Sequence, residues 1–277
     1  LSVVGGITFL NVSYNIRAYE VSYLYGVYSL WSSIEIYDSM FLLESYGDSY
    51  IPAFVHTGAG PCTYIVNNSE FSAIGWIPLG FNVLEGSYLA FNYSNMYNFS
   101  TAINLMNSSA SVYKCSFLKN TVGFHAGYSE NVTIIESEFM SRETNIEIFS
   151  SSKVMVNDSI LRASLEWGIL LVDSSEITLG GNIFEKSSLL ILGSDVEHFV
   201  THTITDNTVN GKPLCYIVNA ESPAVPSDAG EIIVANVTDV SISNVNISDM
   251  DVAIEVAYCS GCTISSVALG LGKYGIY

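Results

Sequence analysis

Apolar residues recur along this chain in a fixed frame. Val132, Ile134, Ser137 and Phe139 are apolar, apolar, small and large apolar at relative positions 0, +2, +5 and +7. The frame returns at Val154, Val156, Ser159 and Leu161, and again at Ile177, Leu179, Asn182 and Phe184. Copies start at residues 7, 34, 64, 88, 110, 132, 154, 177, 202, 240 and 262, those at Tyr88 and His202 being the weakest. Central starts lie 22 to 23 residues apart. A second apolar pair follows about thirteen residues on, as at Ile146 and Ile148 or Ile169 and Leu171. Alternation at 0 and +2 puts two side chains on one face of a short strand, and the small +5 residue marks a bend. Two or three such strands with their turns fill one coil of a parallel β-helix. A single coil cannot bury its inner face; stacked coils can.

The pattern therefore predicts an all-β fold, a parallel β-helix of about eleven coils and roughly 50 Å at ~4.8 Å per coil. It forms one domain, residues 1–277, with irregular Tyr-rich coils in 1–105, regular coils in 106–200 and loop-bearing coils in 201–277. Ser39, Ser69, Ser137, Ser159, Asn182 and Asn207 should form a polar ladder at the bend. A β-sandwich also has short strands and turns, but needs no fixed offset between copies. The turn Asn207-Thr-Val-Asn-Gly-Lys-Pro-Leu214, followed by a loop and the strand-rich run to Ser248, resembles right-handed parallel β-helix proteins of archaeal cell surfaces. These are related to the periplasmic copper-maturation β-helix family and to pectin-lyase-like folds. The resemblance implies right-handed coils, in line with the general preference of parallel crossovers.

Nine Lys and Arg stand against 27 Asp and Glu, a net charge of −18, which argues against nucleic-acid and anionic-membrane partners. No apolar run is long enough for a membrane helix, so no membrane insertion of the mature chain is expected. Asn-x-Ser/Thr occurs at Asn11, Asn67, Asn92, Asn98, Asn107, Asn131, Asn157, Asn236 and Asn246. About four sequons are expected by chance, so N-linked glycans and an extracellular or cell-surface location are expected. Cys259 and Cys262 form a lone C-S-G-C, a candidate disulfide rather than a metal site. No cofactor or metal is expected. His198 and His202 would bind copper only if the copper-maturation analogy held.

No catalytic residue emerges from the sequence, and a non-enzymatic protein is expected. Lys114, Arg142, Arg162 and Lys186 fall at corresponding outward positions of successive coils, and Asp249, Asp251 and Glu255 resemble a solvated turn and strand. Both ends of the chain are apolar. Leu1, Val3, Val4, Ile7 and Phe9 at one end, and Leu269, Leu271, Tyr274, Ile276 and Tyr277 at the other, form uncapped coils. Head-to-tail completion between copies of the chain would cover them, giving a homopolymeric, pilus-like filament. The alternatives are a monomeric glycan-binding adhesin using Tyr23, Tyr25, Tyr28, Trp31 and Trp76, or a polysaccharide lyase or hydrolase of the β-helix class.

Overall fold

The computed structural model describes residues 1–19, 26–46, 52–75 and 77–277. They form an all-β, right-handed parallel β-helix of about 12 turns. Each regular coil contributes three strands. The coil around Val132, for example, runs through Glu130–Ile135 on a first face, Glu138–Met140 on a second and Thr144–Phe149 on a third. Every named strand pairing among the described residues is parallel except the hairpin that joins Thr208–Val209 to Lys212–Val218.

The frame seen in the sequence is a set of vertical columns. Ile7, Ile34, Tyr64, Leu89, Ala110, Val132 and Val154 pair in succession at position 0. Ile177 follows, since Val156 is in register with Leu179. At +7, Phe41, Phe71, Met96, Phe117, Phe139, Leu161 and Phe184 form another column. Within it Phe117 and Phe139 stack with ring centroids 4.6 Å apart. The fourth copy starts at Leu89, one residue later than expected. Tyr88 and Leu89 are both apolar, and only the register shows that Leu89 is buried and Tyr88 40% exposed. The twelfth coil lies in the wide gap between starts 202 and 240. There Leu214–Val218 pairs with Glu231–Ala235, and Glu221 bridges Thr238, without the +5 and +7 signature.

The +5 column is the expected polar ladder, completed by two residues outside the expected set. Each rung accepts the amide of the rung below: Ser69 from Ser39, Ser94 from Ser69, the Cys115 thiol from Ser94, Ser137 from Cys115 and Ser159 from Ser137. Asn182 and Asn207 extend it. A second ladder of Ser87, Ser108, Ser129, Ser151 and Ser174 lines the bend between the third and first faces. A bend leaves one inward amide per coil without a sheet partner, and the short hydroxyl supplies it while donating to a carbonyl two residues back, as Ser137 does to Ile135. Ser137→Ala strands the buried Cys115 amide. Chemical denaturation should show about 1–3 kcal/mol lost, against little change for the outward neighbour Thr133→Ala.

Candidate active site

Near the C-terminal coils the regular stacking changes. Along the third face alternate strand amides donate to carbonyls of the next coil, as Ile169 does to Ser188 at 3.1 Å. On the last strand of that face, Leu189–Leu192, the acceptors are carboxylates. Leu189 N–H donates to Glu231 Oε2 and Ile191 N–H to Glu255 Oε2, both at 3.2 Å. These side chains are buried, and their Oε1 atoms have no hydrogen-bond partner. Burial pushes the Glu255 carboxyl up to about 8 and Glu231 well above the usual carboxylate range.

A third carboxyl, Asp251, faces a different environment. Its Oδ2 accepts the amides of Gly168 at 3.1 Å and Ser188 at 2.8 Å, and the next amide, Val252, donates to Ser188 Oγ at 2.9 Å. Burial lifts its pKa to about 7, opposed by the two amides and by Lys273. Unlike the two glutamates, Asp251 borders an open depression of about 410 Å³, with Ser164, Leu165, Lys186, Asp249, Leu271 and Lys273. Lys273 Nζ lies 3.2 Å from Glu166 Oε1 and 4.2 Å above the Trp167 ring, and Trp167 stacks on Tyr274 at 5.9 Å.

The backbone explains how these groups meet. The strands Asn246–Ala257 and Ala268–Ile276 pair with Asp249 and Leu271 both skipped by the register. Both residues have left-handed backbone, φ 60° and 44°. They continue a column of bends through Lys186 and Asn210. Asn210 Oδ1 accepts the Lys186 amide, and its Nδ2 donates to the carbonyls of Ser248 and Asp249. This clasp lays the 246–257 strand across the bends before Gly168 and Ser188. Met250 to Glu255 are consequently all buried. The sequence reading of Asp251 and Glu255 as solvated is thereby corrected. Asp249 alone of the three is exposed. A carboxyl titrating near neutrality, at the wall of an open depression with a second carboxylate and two ammonium groups, is suited to proton transfer. Lys273 and Trp167 carry no local sequence signal that would mark them as part of such a site.

The remaining sequence candidates are dispersed. Among the sequons, Asn11, Asn107, Asn131, Asn236 and Asn246 are exposed, while Asn67, Asn92, Asn98 and Asn157 are half-buried. The serines that complete the sequons at Asn67, Asn92 and Asn157 are the ladder residues Ser69, Ser94 and Ser159, so the fold itself accounts for the motif there. Cys259 and Cys262 stand as free thiols, Cys259 donating to the carbonyl of Ala257 at 3.2 Å. His202 spends both ring nitrogens on backbone groups, the Ile177 amide and the His198 carbonyl. Lys114 pairs with Glu136, and Arg162 with Glu138 and Glu185, each across a coil boundary. Of the proposed subunit-contact residues, Leu1, Val4, Leu271, Tyr274, Ile276 and Tyr277 are exposed, Val3 is buried, and Ile7, Phe9 and Leu269 pack against the core. Tyr28 and Trp31 are on the third face and its bend; Tyr23, Tyr25 and Trp76 lie outside the described residues.

Residues 59–225, more than half of the chain, match the family described as the right handed beta helix region, and the chain belongs to that family. No curated protein matches it in sequence. Among solved structures, a tailspike protein of the E. coli bacteriophage HK620 is similar with a TM-score of 0.56 and 14% identity, over 98% of this chain and 56% of that one. The same tailspike in complex with a pentasaccharide gives 0.44 and 12%, over 96% and 58%. The mannuronan C-5 epimerase A-module of Azotobacter vinelandii gives 0.41 and 10%, over 98% and 88%.

These likenesses correct three expectations: the non-enzymatic role, the self-assembling filament subunit and the archaeal-surface kinship. The fold is shared with a phage tailspike protein, and the family match is to β-helices in general. The filament expectation also treated bare terminal coils as a contact surface. The tailspike extends well beyond the part matched here, and any segment of a solenoid shows uncovered coils at both ends, so their bareness does not define a joint between copies.

Proposed function

We propose that this protein acts on a polysaccharide outside the cytoplasm, with Asp251 as the proton-transferring group. The observation that carries the reading is the pairing of burial and access at Asp251. Its pKa lies near 7, two amides hold one of its oxygens, and it borders an open depression beside Asp249. In a hydrolytic step, protonated Asp251 gives its proton to the leaving glycosidic oxygen as the bond to the anomeric carbon breaks. Asp249 takes a proton from the water that attacks that carbon. Lys186 and Lys273 bind the sugar's oxygens, and Glu166 and Trp167 hold the Lys273 ammonium over the site. Support comes from the family and from the fold shared with the tailspike, a protein also solved in complex with a pentasaccharide.

Incubation with uncharged and uronate polysaccharides tests this. New reducing ends are the expected result. Unsaturated uronate absorbance would replace hydrolysis by elimination at the same site, and absence of any bond change on every polymer would sink the reading. The exposed sequons at Asn11, Asn131, Asn236 and Asn246 are proposed as sites of N-linked glycans. Intact mass before and after amidase removal of N-glycans should fall by whole glycan units on protein from a glycosylating host.

A further inference from the structure

The bend between the third and first faces carries left-handed residues in successive coils. They include Trp31, Gly60, Glu85, Asn107 and Tyr128, with φ of 46°, 72°, 57°, 48° and 51°. Amide bonds from Glu85 to Met106, Asn107 to Gly127 and Tyr128 to Phe149 stack them coil upon coil. Left-handed backbone is ordinary for Gly and Asn and unfavourable for a bulky aromatic residue. Trp31 adopts it as the extra residue of a β-bulge, since the register steps from Val4↔Leu30 to Gly5↔Ser32. The consequence is a re-aimed side chain. The indole lies flat on Gly60, where an added Cβ would come within 2.3 Å of Cε2. Its other face is open, with the residue 67% exposed. Tyr128, 66% exposed, stands four coils further along the same ridge, ~19 Å away. Between the two rings are the exposed Glu85 and Asn107, and a hollow of about 280 Å³ borders Asn107, Tyr128 and Glu130.

Two bare aromatic faces with hydrogen-bonding groups between them match the alternation of C–H faces and hydroxyls along a glycan chain. A strained bulge that holds a tryptophan outward, with one face on Gly60 and the residue still 67% exposed, points to a binding role. We propose that this ridge is a second saccharide site, distinct from the Asp251 depression. Trp31 and Tyr128 stack on sugar rings, and Glu85 and Asn107 bond the hydroxyls between them. With Glu85 and Glu130 on the ridge and a net charge of −18, the ligand class is an uncharged polysaccharide rather than a polyuronate. The inference rests on the reading of the protein as saccharide-acting, and binding and turnover separate the two.

Affinity electrophoresis through gels containing dextran, laminarin, galactomannan or xylan, with alginate as the charged comparison, provides the test. Wild-type protein should be retarded by at least one uncharged polymer. Trp31→Ala should weaken that binding about tenfold or more, equivalent to 1.4 kcal/mol. Tyr128→Ala should weaken it less, and Trp31→Phe should restore most of it. Asp251→Asn should bind on the ridge as wild type does while losing turnover. Trp31→Gly suits the left-handed backbone, so it should melt no earlier than wild type while losing retention, which separates binding from folding. Retention unchanged in Trp31→Ala, or no retention by any uncharged polymer, overturns the ridge whether or not the depression turns over substrate.

Discussion

Replacing Asp251 by Asn is expected to lower the rate of polysaccharide cleavage by about 10²- to 10⁴-fold, the usual contribution of a positioned general acid. Asparagine keeps an oxygen for the Gly168 and Ser188 amides, so the strand stays clasped and the fold should survive. What it loses is the acidic proton. Both amide bonds go to Oδ2 of the aspartate, which leaves Oδ1 to carry that proton. Because the pKa is lifted to about 7, wild-type activity should fall as pH rises through neutrality. The variant's residual rate should lack that limb. Asp249→Asn should be comparably slow, with the limb above neutrality retained. Initial rates of reducing-end release from pH 4 to 9 measure both. An Asp251→Asn enzyme with near wild-type rate would remove this group from the mechanism.

A second large effect concerns stability. Glu231, Asp251 and Glu255 have folded pKa values above those of the unfolded chain, so the native state binds more protons between about pH 4 and 8. Their contribution is full below the unfolded carboxylate pKa and is lost as pH rises through about 7 for Asp251 and about 8 for Glu255, and Glu231, raised well above the usual carboxylate range by burial, acts in the same direction. A tenfold change in the acidity of a group on folding is worth about 1.4 kcal/mol, so the fold should lose several kcal/mol, to order of magnitude, between pH 5 and pH 9. The ionised glutamates would sit against the Leu189–Leu192 strand with one oxygen unpartnered, the costliest state of a buried carboxylate. Thermal melts across this range, with Glu255→Gln for comparison, check it. The glutamine keeps an acceptor for Ile191 and cannot ionise, so its melting temperature should depend less on pH. A wild-type melting temperature that holds or climbs from pH 5 to pH 9 would contradict the account.

The coil period, the position 0 and +7 columns and most of the bend ladder were legible as spacing. Val132, Val154 and Ile177 face inward because neighbours two residues away do, and stacking repeats that local choice at a constant offset. Ser94 was missed because a start at Tyr88 puts Tyr93 at +5, and the second serine ladder lies outside the four-position frame. Leu89 was misplaced by one residue since two apolar neighbours compete for one inward position, and only pairing with Tyr64 and Ala110 decides between them.

The candidate site was hidden for a different reason. Asp251 meets Gly168 and Ser188 across 83 and 63 residues, and Glu255 meets Ile191 across 64. No periodic signal links those positions, because contacts within the repeat join residues about one coil apart. The amino-acid pattern therefore determined a stack of coils with an apolar interior and polar bends. The packing of the 246–257 strand across earlier bends decided which carboxyls lose water, and so which titrate near neutrality. Burial of a charge depends on what covers it from elsewhere in the chain, and a local sequence window does not contain that cover.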